Sequence, residues 1–576
     1  MNILLILGIS VLVLYGGYKI YGKHIEYLFN VDGTHKTPAV EMEDGVDYVP
    51  TKKFVVFGHH FASIAGGGPI IGPTVAMIFG YLPVWLWILI GSVFMGGVHD
   101  FTSLLASMRE KGKSIAEIAD NTLGKKGFLI FISFTVIMLL MVTAVFLNLT
   151  TTALSSKYPL SFFGEDEKYI HKVVEGGVKY ALIGGIASTS VIIITMFAPL
   201  VGWLLYKKNV NVFTVSYIAI TVCLSSIGIG VIYPLVIPPT TWMVLLSIYT
   251  IFAAGVPVWI VLQPRDFMNS FLLYGGMIGM ILSIIIVGFQ GGSMNLPAVN
   301  LEFGQQHLGY IWPILFITVA CGAISGFHSL VAGGTTSKQI SNEKPDARTI
   351  GYGAMMIEAL LAVGVIAIVG LGLNFNQYLS IVFPADPAVK SNPILAFALA
   401  MGGVMEKGFG IPKLYGAIFG ILMVEGFVVT TLDTAVRLNR YLLEEFWHMA
   451  FKKVPKILNT YLFNSLICVV LMFVLAYYNA FKELWQLFGS ANQLLAGLAL
   501  IIVGLWLLKR GKSFLFAVIP GIFMLVTTIA ALVIVLNDTY IPKMNIPLII
   551  GDVVLIALAI GVIFLSFKEY RKAKTV

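Results

Sequence analysis

The feature that most constrains this fold is a series of apolar stretches, each about as long as a helix needs to cross a lipid bilayer. Residues 127–150 and 514–536, for example, contain no Asp, Glu, Lys or Arg, and one span needs about 20 mainly apolar residues. Charged residues make up 11% of the chain, against about 25% in ordinary soluble domains. The chain therefore cannot cover a water-facing surface, and we predict an all-α integral membrane protein.

Fifteen stretches meet this length requirement. The first of them has neither the positive start nor the small-residue cleavage site of a signal peptide, so we retain it as a helix. The predicted helices cover residues 2–21, 54–81, 83–107, 127–150, 179–206, 211–232, 240–262, 267–289, 310–337, 351–371, 411–435, 459–477, 484–508, 514–536 and 547–567.

Lys and Arg residues are distributed unequally between the connectors on the two sides of these helices. One side carries 27 of them and the other carries 7. Because cytoplasmic loops are enriched in Lys and Arg, we expect the richer side to be cytoplasmic, with the N-terminus outside and the C-terminus inside. Residues 393–408 are short and glycine-rich; we place them outside, and the sequence leaves open whether they form a re-entrant segment or a span.

Composition and motifs exclude several other classes of protein. The net charge of +8 is spread over short connectors and forms no basic patch, so we expect no nucleic-acid partner. Cys223, Cys321 and Cys468 lie singly in apolar stretches, without the spacing of a metal site. No compact set of catalytic residues is visible, so we expect a protein that is not an enzyme.

The second predicted helix contains the sequence GHHFASIAGGGPIIGP at residues 58–73. Gly66-Gly67-Gly68-Pro69 joins three poor helix formers to a residue without a backbone N–H group, and Gly72-Pro73 repeats the pattern. We therefore expect the helix to break within Gly66 to Pro69. Unwound backbone at membrane depth is tolerated only where it is buried in protein or lines a cavity, so this segment is the first candidate for a ligand site.

The ten helices between residues 54 and 435 form two sets of five with opposite orientation, which is the pattern of an inverted-repeat transporter. The first helix of the second set has a weaker interruption at Gly255-Val256-Pro257. We predict a five-plus-five inverted repeat with one extra helix before it and about four after it. The predicted division is 1–53 for the N-terminal helix and loop, 54–232 and 240–435 for the two repeats, and 459–576 for accessory helices.

Seven short strings in this chain, in the same order over about residues 54–508, resemble the carbon starvation protein A family of bacterial inner-membrane transporters. They are GHHFASIAGGGPIIGP, GYLPVW, GGVHDF, LQPRDF, CGAISGFHSLVAGGTTSKQI, GYGAMMIE and FGSANQLLAG. The resemblance implies uptake of peptides or pyruvate during nutrient limitation. It also implies a LeuT-type fold, as in the amino acid/polyamine/organocation superfamily, and a location in the bacterial inner membrane.

We expect a small-molecule substrate with a carboxylate to bind at the break in the second helix. The N–H groups of the half-helix that starts near Gly72 would carry the positive end of its dipole toward that carboxylate. His59 and His60 are adjacent, so only one of them can face the site. The predicted substrate-binding residues are His59, His60, Ser63, Gly66, Gly67, Gly68 and Gly72.

Ionisable residues within a span need a reason, because each costs roughly 2.5–3.5 kcal/mol on insertion scales. Glu425 lies deepest in its span, and we predict that it carries the coupling proton, with helix packing as the alternative. Glu358 lies nearer the cytoplasmic end, where packing or helix capping is the favoured interpretation. The predicted ion-coupling residues are Glu425, Glu358, Ser325, His328, Ser329, Thr335 and Thr336.

A sodium ion is the alternative coupling ion. The LeuT-type fold implied by the resemblance would place the ninth predicted helix beside the break, where hydroxyl and carbonyl oxygens together form an all-oxygen site. The predicted sodium ligands are Ile64, Gly67, Ser325 and Ser329. No other cofactor is expected.

Two other functions are compatible with parts of the sequence. An intramembrane redox or metal protein would use histidines from several helices as ligands, namely His59, His60, His99 and His328. A non-transporting starvation sensor would carry a soluble signalling domain, whereas the longest hydrophilic stretch here has about 32 residues.

Three further charged groups are interpreted as structural. His99-Asp100 lies near the cytoplasmic end of the third helix, and Asp433 and Arg437 are spaced i, i+4 so that they can pair on one helix. Arg265-Asp266 follows Pro264 and is interpreted as an interfacial cap.

Overall fold

The computed structural model describes residues 2–31, 33–44, 48–163, 172–208, 210–257, 259–386 and 389–575. Helices form most of the regular structure in these residues. They are α1 (Ile3–Gly16), α2 (Gly22–Leu28), α3 (Pro38–Glu41), α4 (Lys53–Ile64), α5 (Gly68–Ala76), α6 (Tyr81–Gly91), α7 (Gly97–Arg109), α8 (Ile115–Leu123), α9 (Lys125–Leu154), α10 (Ile183–Gly202), α11 (Val212–Ile232), α12 (Pro239–Gly255), α13 (Leu262–Phe289), α14 (Leu301–His307), α15 (Phe316–Val319), α16 (Phe327–Gly334), α17 (Glu343–Gly372), α18 (Phe375–Val382), α19 (Pro393–Phe409), α20 (Lys413–Ala450), α21 (Tyr461–Tyr478), α22 (Phe481–Leu508), α23 (Leu515–Val535) and α24 (Ile546–Thr575).

The predicted all-α membrane architecture is confirmed. Within the described ranges, thirteen helices are long and apolar enough to cross a bilayer, and the bent pair α4 and α5 makes a fourteenth candidate. The remaining predicted span, residues 240–262, corresponds to α12. Its 17 residues are fewer than the about 20 that a span normally needs.

A small antiparallel sheet lies in the connector between α9 and α10. Its strands are β1 (Tyr158–Pro159), β2 (Lys172–Glu175) and β3 (Val178–Ala181), in the order β1-β3-β2. Gly176 and Gly177, both with positive φ, turn the chain between β2 and β3. The sequence analysis did not predict this sheet.

The predicted break in the second helix is present. α4 ends at Ile64 and α5 begins at Gly68, and the two half-helices are bent by 43° relative to each other. Ala65 leaves helical geometry with a ψ of 43°. The helix restarts at once because Pro69 lies in the first turn of α5, where the missing N–H group of proline is not needed.

The second half-helix therefore starts four residues earlier than the predicted Gly72. Gly72 lies inside α5, and a Cβ atom at this position would collide with the carbonyl oxygen of Val319 at the end of α15. Gly72 serves the close packing of α5 on α15, and the N–H groups at the start of the half-helix belong to residues near Gly68.

A second interruption lies inside the span Ile311–Lys338, where the sequence analysis predicted a continuous helix. α15 ends at Val319 and α16 begins at Phe327. Ala320 has φ 47° and ψ −121°, and residues 323–326 are not helical. The interruption predicted at Gly255-Val256-Pro257 is instead the end of α12, because Val256 is extended and the next helix begins at Leu262.

The two interrupted helices pack against each other at their breaks. Gly68 of α5 lies against Cys321, and α5 also contacts α15. The helix that follows each interruption packs on the other interrupted helix: α7 packs on α16, and α17 packs on α4 and α5.

This reciprocal packing relates residues 53–109 to residues 311–372. The five-plus-five repeat, its domain boundaries and the LeuT-type assignment stay predictions.

Residues 393–408, predicted to lie outside as a re-entrant segment or a span, belong to α19. Residues 393–405 of this helix are buried, and it packs along α17 and the first part of α20. Gly402, Gly416 and Gly420 allow the close approach of α19 and α20. The segment is thus a packed helix of the bundle.

Candidate functional site

A small cavity lies at the meeting point of the two interrupted helices, and we call it the central cavity. Its volume is about 20 Å³. Residues of both breaks line it, together with side chains from α9, α20 and α22. The lining residues are Ser63, Ile64, Gly66, Gly68, Val142, Phe146, Cys321, Phe327, Thr431 and Phe488.

The first break presents backbone donors at this cavity. The N–H groups of Gly67 and Gly68 have no hydrogen-bond acceptor within the part of the chain that the structure describes. The neighbouring N–H groups of Ile70 and Ile71 donate to the Gly67 carbonyl. A helix start with free N–H groups favours an anion, so this end of α5 suits a carboxylate.

The walls of the central cavity pack tightly on the glycine run. A Cβ atom at Gly66 would lie 2.7 Å from Oγ1 of Thr431, and one at Gly67 would lie 2.8 Å from Val428. A Cβ atom at Gly68 would lie 2.5 Å from Sγ of Cys321. The glycines are needed here because α20 and the second interrupted helix approach the backbone directly.

Two further cavities lie beside the first interrupted helix, one next to α4 and one next to α5. The Asp266 cavity, of about 40 Å³, is lined by His59 and Ser63 of α4 and by residues of α13 and α20 such as Asp266 and Thr430. The Lys482 cavity, of about 330 Å³, is lined by Val75, Lys482 and residues 382–385, among others. Ser63 borders both the central cavity and the Asp266 cavity.

A buried cluster of charged side chains lies next to the second interruption, and we call it the histidine cluster. Nδ1 of His328 on α16 donates to Oδ2 of Asp100 on α7 at 2.8 Å. His99 donates to the other oxygen, Oδ1, also at 2.8 Å. On its far side, Nε2 of His328 lies 3.5 Å from Oε2 of Glu358 on α17. All four side chains are fully buried.

His59 and His60 occupy different environments, as their adjacency predicts. His59 is exposed to the Asp266 cavity. His60 is buried, and its Nδ1 lies 2.8 Å from Oγ1 of Thr336. This contact ties α4 to the residues just after α16.

Asn492 of α22 holds the start of α16. Its Oδ1 accepts the N–H group of Phe327 at 3.0 Å, and its backbone carbonyl accepts the N–H group of Gly326 at 3.0 Å. Its Nδ2 donates to Oγ of Ser325 at 3.1 Å. These bonds replace the helical bonds that the second interruption removes.

A second buried group of charges lies under the Asp266 cavity, and we call it the arginine cluster. Arg265 of α13 donates to Oδ2 of Asp433 on α20 at 2.6 Å, and to Oδ1 of Asp266 at 3.1 Å. Tyr249 of α12 donates to Asp433 at 2.8 Å.

The predicted i, i+4 pair of Asp433 and Arg437 is wrong, because Arg437 donates to the Val256 carbonyl. Arg265 is buried, so it is not an interfacial cap.

The predicted coupling residues do not form one group. Glu425 is buried in α20, and neither of its oxygens has a hydrogen-bond partner within the described chain. The hydroxyls of Ser329 and Thr335 donate to carbonyls of their own segment. His328 and Glu358, in contrast, face each other.

The structure therefore separates the predicted substrate-binding residues that line the central cavity from those that do not. Ser63, Gly66 and Gly68 line the central cavity with Ile64, whereas Gly67 and Gly72 are not among its lining residues. Asp100, Asn492 and Phe327 were missed as site residues. In the sequence, Asp100 is a charge inside an apolar span and Asn492 is an amide in a helix core, and both signals also fit structural roles.

Within the described residues, no group of three or more His, Cys, Asp or Glu side chains has the arrangement needed to hold a metal ion. His99 and His328 each use a ring nitrogen to donate a hydrogen bond to Asp100. This geometry therefore gives no support to the alternative of an intramembrane metal protein with His59, His60, His99 and His328 as ligands.

Comparison with known proteins gives consistent results over most of the chain. The family model described as carbon starvation protein CstA matches residues 2–387 and 372–531. The chain is 32% identical over 581 residues to the peptide transporter CstA of Bacillus subtilis, which covers 92% of this chain and 89% of that protein. It is 31% identical over 610 residues to the pyruvate/proton symporter BtsT of Escherichia coli, with 92% and 81% covered.

Among solved structures, a manganese transporter of Eremococcus coleocola aligns with a TM-score of 0.45 at 12% identity. The alignment covers 95% of this chain and 99% of that one.

Proposed function

Because the chain belongs to the carbon starvation protein CstA family, we propose that it is a secondary active importer of a small carboxylate-bearing nutrient, a short peptide or pyruvate. The central cavity carries this proposal, because it lies between two interrupted helices and is lined by Gly68, whose N–H group at the start of α5 has no acceptor among the described residues. A carboxylate accepts hydrogen bonds from such groups. The names of the relatives, peptide transporter and pyruvate/proton symporter, describe substrates that carry a carboxylate.

Transport requires this site to open, because a cavity of about 20 Å³ has room for about one water molecule and not for pyruvate or a peptide. Phe146 of α9 and Phe488 of α22 line the cavity with their ring centroids 5.9 Å apart. We propose that these two aromatic side chains separate when substrate enters. The Lys482 cavity supplies an entry on one side, and the Asp266 cavity supplies an exit on the other.

The proposed orientation is the one that the connector charges predict, with the N-terminus outside and the C-terminus in the cytoplasm of a bacterial cell. Asn2 forms a bridge to Ser293 beyond α13, and this connector is on the predicted outer side. Lys509, on the predicted inner side, binds Glu569 near the C-terminus. A cation gradient drives import, with a proton favoured over sodium, and the setting is carbon starvation.

Uptake into membrane vesicles tests this proposal. Labelled pyruvate and labelled dipeptides are offered separately, with either a pH gradient or a sodium gradient imposed. We expect concentrative uptake of one substrate class under the pH gradient, and none in vesicles without the protein. Absence of uptake for both classes under both gradients would contradict the proposed function.

Gly68 tests the central cavity itself. Gly68→Ala places a Cβ atom against Cys321, and overpacking of this kind costs about 1–3 kcal/mol. We therefore expect uptake to fall on the order of tenfold. The double variant Gly68→Ala with Cys321→Gly removes the clash and should recover most of the uptake.

Gly279→Ala in α13 is the matched control, because a Cβ atom there meets nothing within 4 Å. This variant should transport like the parent. Equal transport by parent and Gly68→Ala, at equal amounts of inserted protein, would remove the central cavity from the substrate path. Loss in Gly68→Ala without recovery in the double variant would point to a general folding defect.

A further inference from the structure

Resting on the proposed function, we propose that Glu358 binds the coupling proton, and that the hydrogen-bonded pair of Asp100 and His328 forms the counter-charge that makes this binding reversible. One proton then accompanies each substrate molecule. The family match and the names of the relatives identify no proton-binding residue. The hydrogen bonds of the histidine cluster point to Glu358 as the proton-binding residue.

The two carboxyl groups of the cluster differ in their hydrogen bonds. Asp100 receives an imidazole N–H on each oxygen, one from His99 and one from His328. Since an ionised carboxylate accepts hydrogen bonds on both oxygens and donates none, these two donors stabilise an ionised Asp100. Glu358 has no hydrogen-bond partner on either oxygen within the described chain. Of the two, Glu358 is the group free to take up a proton.

His328 connects the two carboxyl groups. Its Nδ1 is committed to Asp100, and its Nε2 faces Glu358 at 3.5 Å. Nε2 carries a proton only when His328 is a cation. With His328 charged, an ionised Glu358 leaves the cluster with one net negative charge, whereas a protonated Glu358 leaves it neutral. In a buried site an uncompensated charge is costly, so the cluster has a place for one proton.

The proton site adjoins both interruptions. His328 is the second residue of α16, immediately after the second interruption. α16 packs on α4, which ends at the first interruption. Glu358 belongs to α17, which packs on α4 and α5. A proton at Glu358 weakens its attraction for His328 and so changes the contact between the two half-helices that border the central cavity.

The other titratable groups next to this site lie on α4, on α7 and in the second interruption. They are His60 of α4, His99 and Asp100 of α7, and Cys321 of the second interruption, with the polar Asn492 on α22. His60 is bound to Thr336 and His99 to Asp100. Cys321 donates to Ser325. None of these groups offers a second unpartnered carboxylate.

A measurement on purified protein tests the proton site without transport. Infrared difference spectra between acidic and alkaline pH report the C=O stretch of protonated carboxyl groups. We expect one such band to vanish in Glu358→Gln. Asp552→Asn is the matched control, because Asp552 on α24 is also buried without a partner for either oxygen. A band that is present in Asp552→Asn and in the parent, and absent only in Glu358→Gln, supports the proposal.

Transport in vesicles tests the coupling. Glu358→Gln should lose pH-driven accumulation and keep exchange of substrate across the membrane. In the parent, symport of one proton with the pyruvate anion moves no net charge, so a gradient of one pH unit should accumulate pyruvate about tenfold at any membrane potential. Should Glu358→Gln not fold, Glu358→Asp keeps an acid nearby and should keep pH-driven accumulation at a reduced rate.

Two results would overturn the proposal. The first is a Glu358→Gln protein that retains the titrating carboxyl band, and the second is one that accumulates substrate like the parent. Failure of the parent to transport pyruvate or dipeptides would count against the proposed function alone, since the infrared measurement does not depend on substrate.

Discussion

The histidine cluster and the arginine cluster each place one basic side chain, His328 or Arg265, between two carboxyl groups, yet they are built differently. In the arginine cluster the base is Arg265, which stays charged at every accessible pH. Its bond to the buried Asp433 is 2.6 Å long, and its second partner, Asp266, is 34% exposed. In the histidine cluster the base is His328, which can lose its proton, and both carboxyl groups are fully buried.

This difference separates a fixed charge from an adjustable one. Arg265 joins α12, α13 and α20 through Tyr249, Asp266 and Asp433, and none of these bonds depends on a proton that comes and goes. His328 and Glu358 join α16 to α17 beside the two interruptions. The arginine cluster therefore belongs to the supporting framework, and the histidine cluster belongs to the part that changes during transport.

The largest expected effect is on the fixed cluster. Arg265→Leu leaves Asp433 buried without a counter-charge, and breaking a buried ion pair in this way costs about 3–5 kcal/mol. We expect most of the protein to be lost or misfolded in detergent, as measured by thermal unfolding and size-exclusion chromatography. Arg265→Lys keeps the charge and loses the second donor group, so its melting temperature should lie between those of Arg265→Leu and the parent.

The double variant Arg265→Leu with Asp433→Leu is the control for this prediction. It removes both charges, which is often close to neutral when the replacements fill the space. We expect it to melt at a higher temperature than Arg265→Leu alone. If Arg265→Leu melts like the parent, the arginine cluster is not a framework element, and the proposed contrast between a fixed and an adjustable cluster is wrong for the arginine cluster.

The next effect concerns the residue that positions His328. Asn492→Ala leaves the N–H group of Phe327 buried without an acceptor, at a cost of about 1–3 kcal/mol. Because His328 follows Phe327 directly, we expect weaker uptake together with lower thermal stability. Asn492→Asp retains an oxygen acceptor and should keep more uptake than Asn492→Ala. Equal uptake by the two variants would show that this hydrogen bond does not position His328.

A smaller effect is expected at the edge of the arginine cluster. Tyr249→Phe removes one hydrogen bond to Asp433 and leaves the bond from Arg265 in place. We expect a loss of about 1 kcal/mol in stability and an unchanged response of uptake to the pH gradient. A changed pH response would show that the arginine cluster also takes part in coupling.

The sequence predicted the features that depend on local chain preference. Three glycines followed by Pro69 disfavour a helix whatever surrounds them, and the break at Ala65 to Gly67 appears beside them. The apolar stretches likewise predicted the helices, because length and hydropathy decide a span. The exact restart of α5 was missed, since either Pro69 or Pro73 fits the first turn of a helix.

The features that depend on which helices meet could not be predicted. The second interruption contains only the isolated glycines Gly322 and Gly326, and it is held by Asn492, about 165 residues away along the chain. Asp433 was assigned to Arg437 because the two are one turn apart, whereas its partner Arg265 is 168 residues distant. Local spacing cannot rank a near partner against a distant one.

Glu425 was the leading sequence prediction for the proton carrier because it is the deepest acid in its span. The structure gives it no hydrogen-bond partner on either oxygen and no ion pair within the described residues, so no counter-charge is available to an ionised form. Its role in coupling is untested, and the geometry favours Glu358.

The smallest expected effect is therefore that of Glu425→Gln, which keeps the volume of the side chain. We expect pH-driven accumulation close to that of the parent, because glutamine has nearly the size of a protonated glutamic acid and, like it, both donates and accepts hydrogen bonds. Accumulation and exchange are measured in vesicles that contain equal amounts of Glu425→Gln, Glu358→Gln and parent. If Glu425→Gln loses accumulation and keeps exchange, while Glu358→Gln behaves like the parent, then the proton binds at the isolated acid and the histidine cluster is a framework element like the arginine cluster.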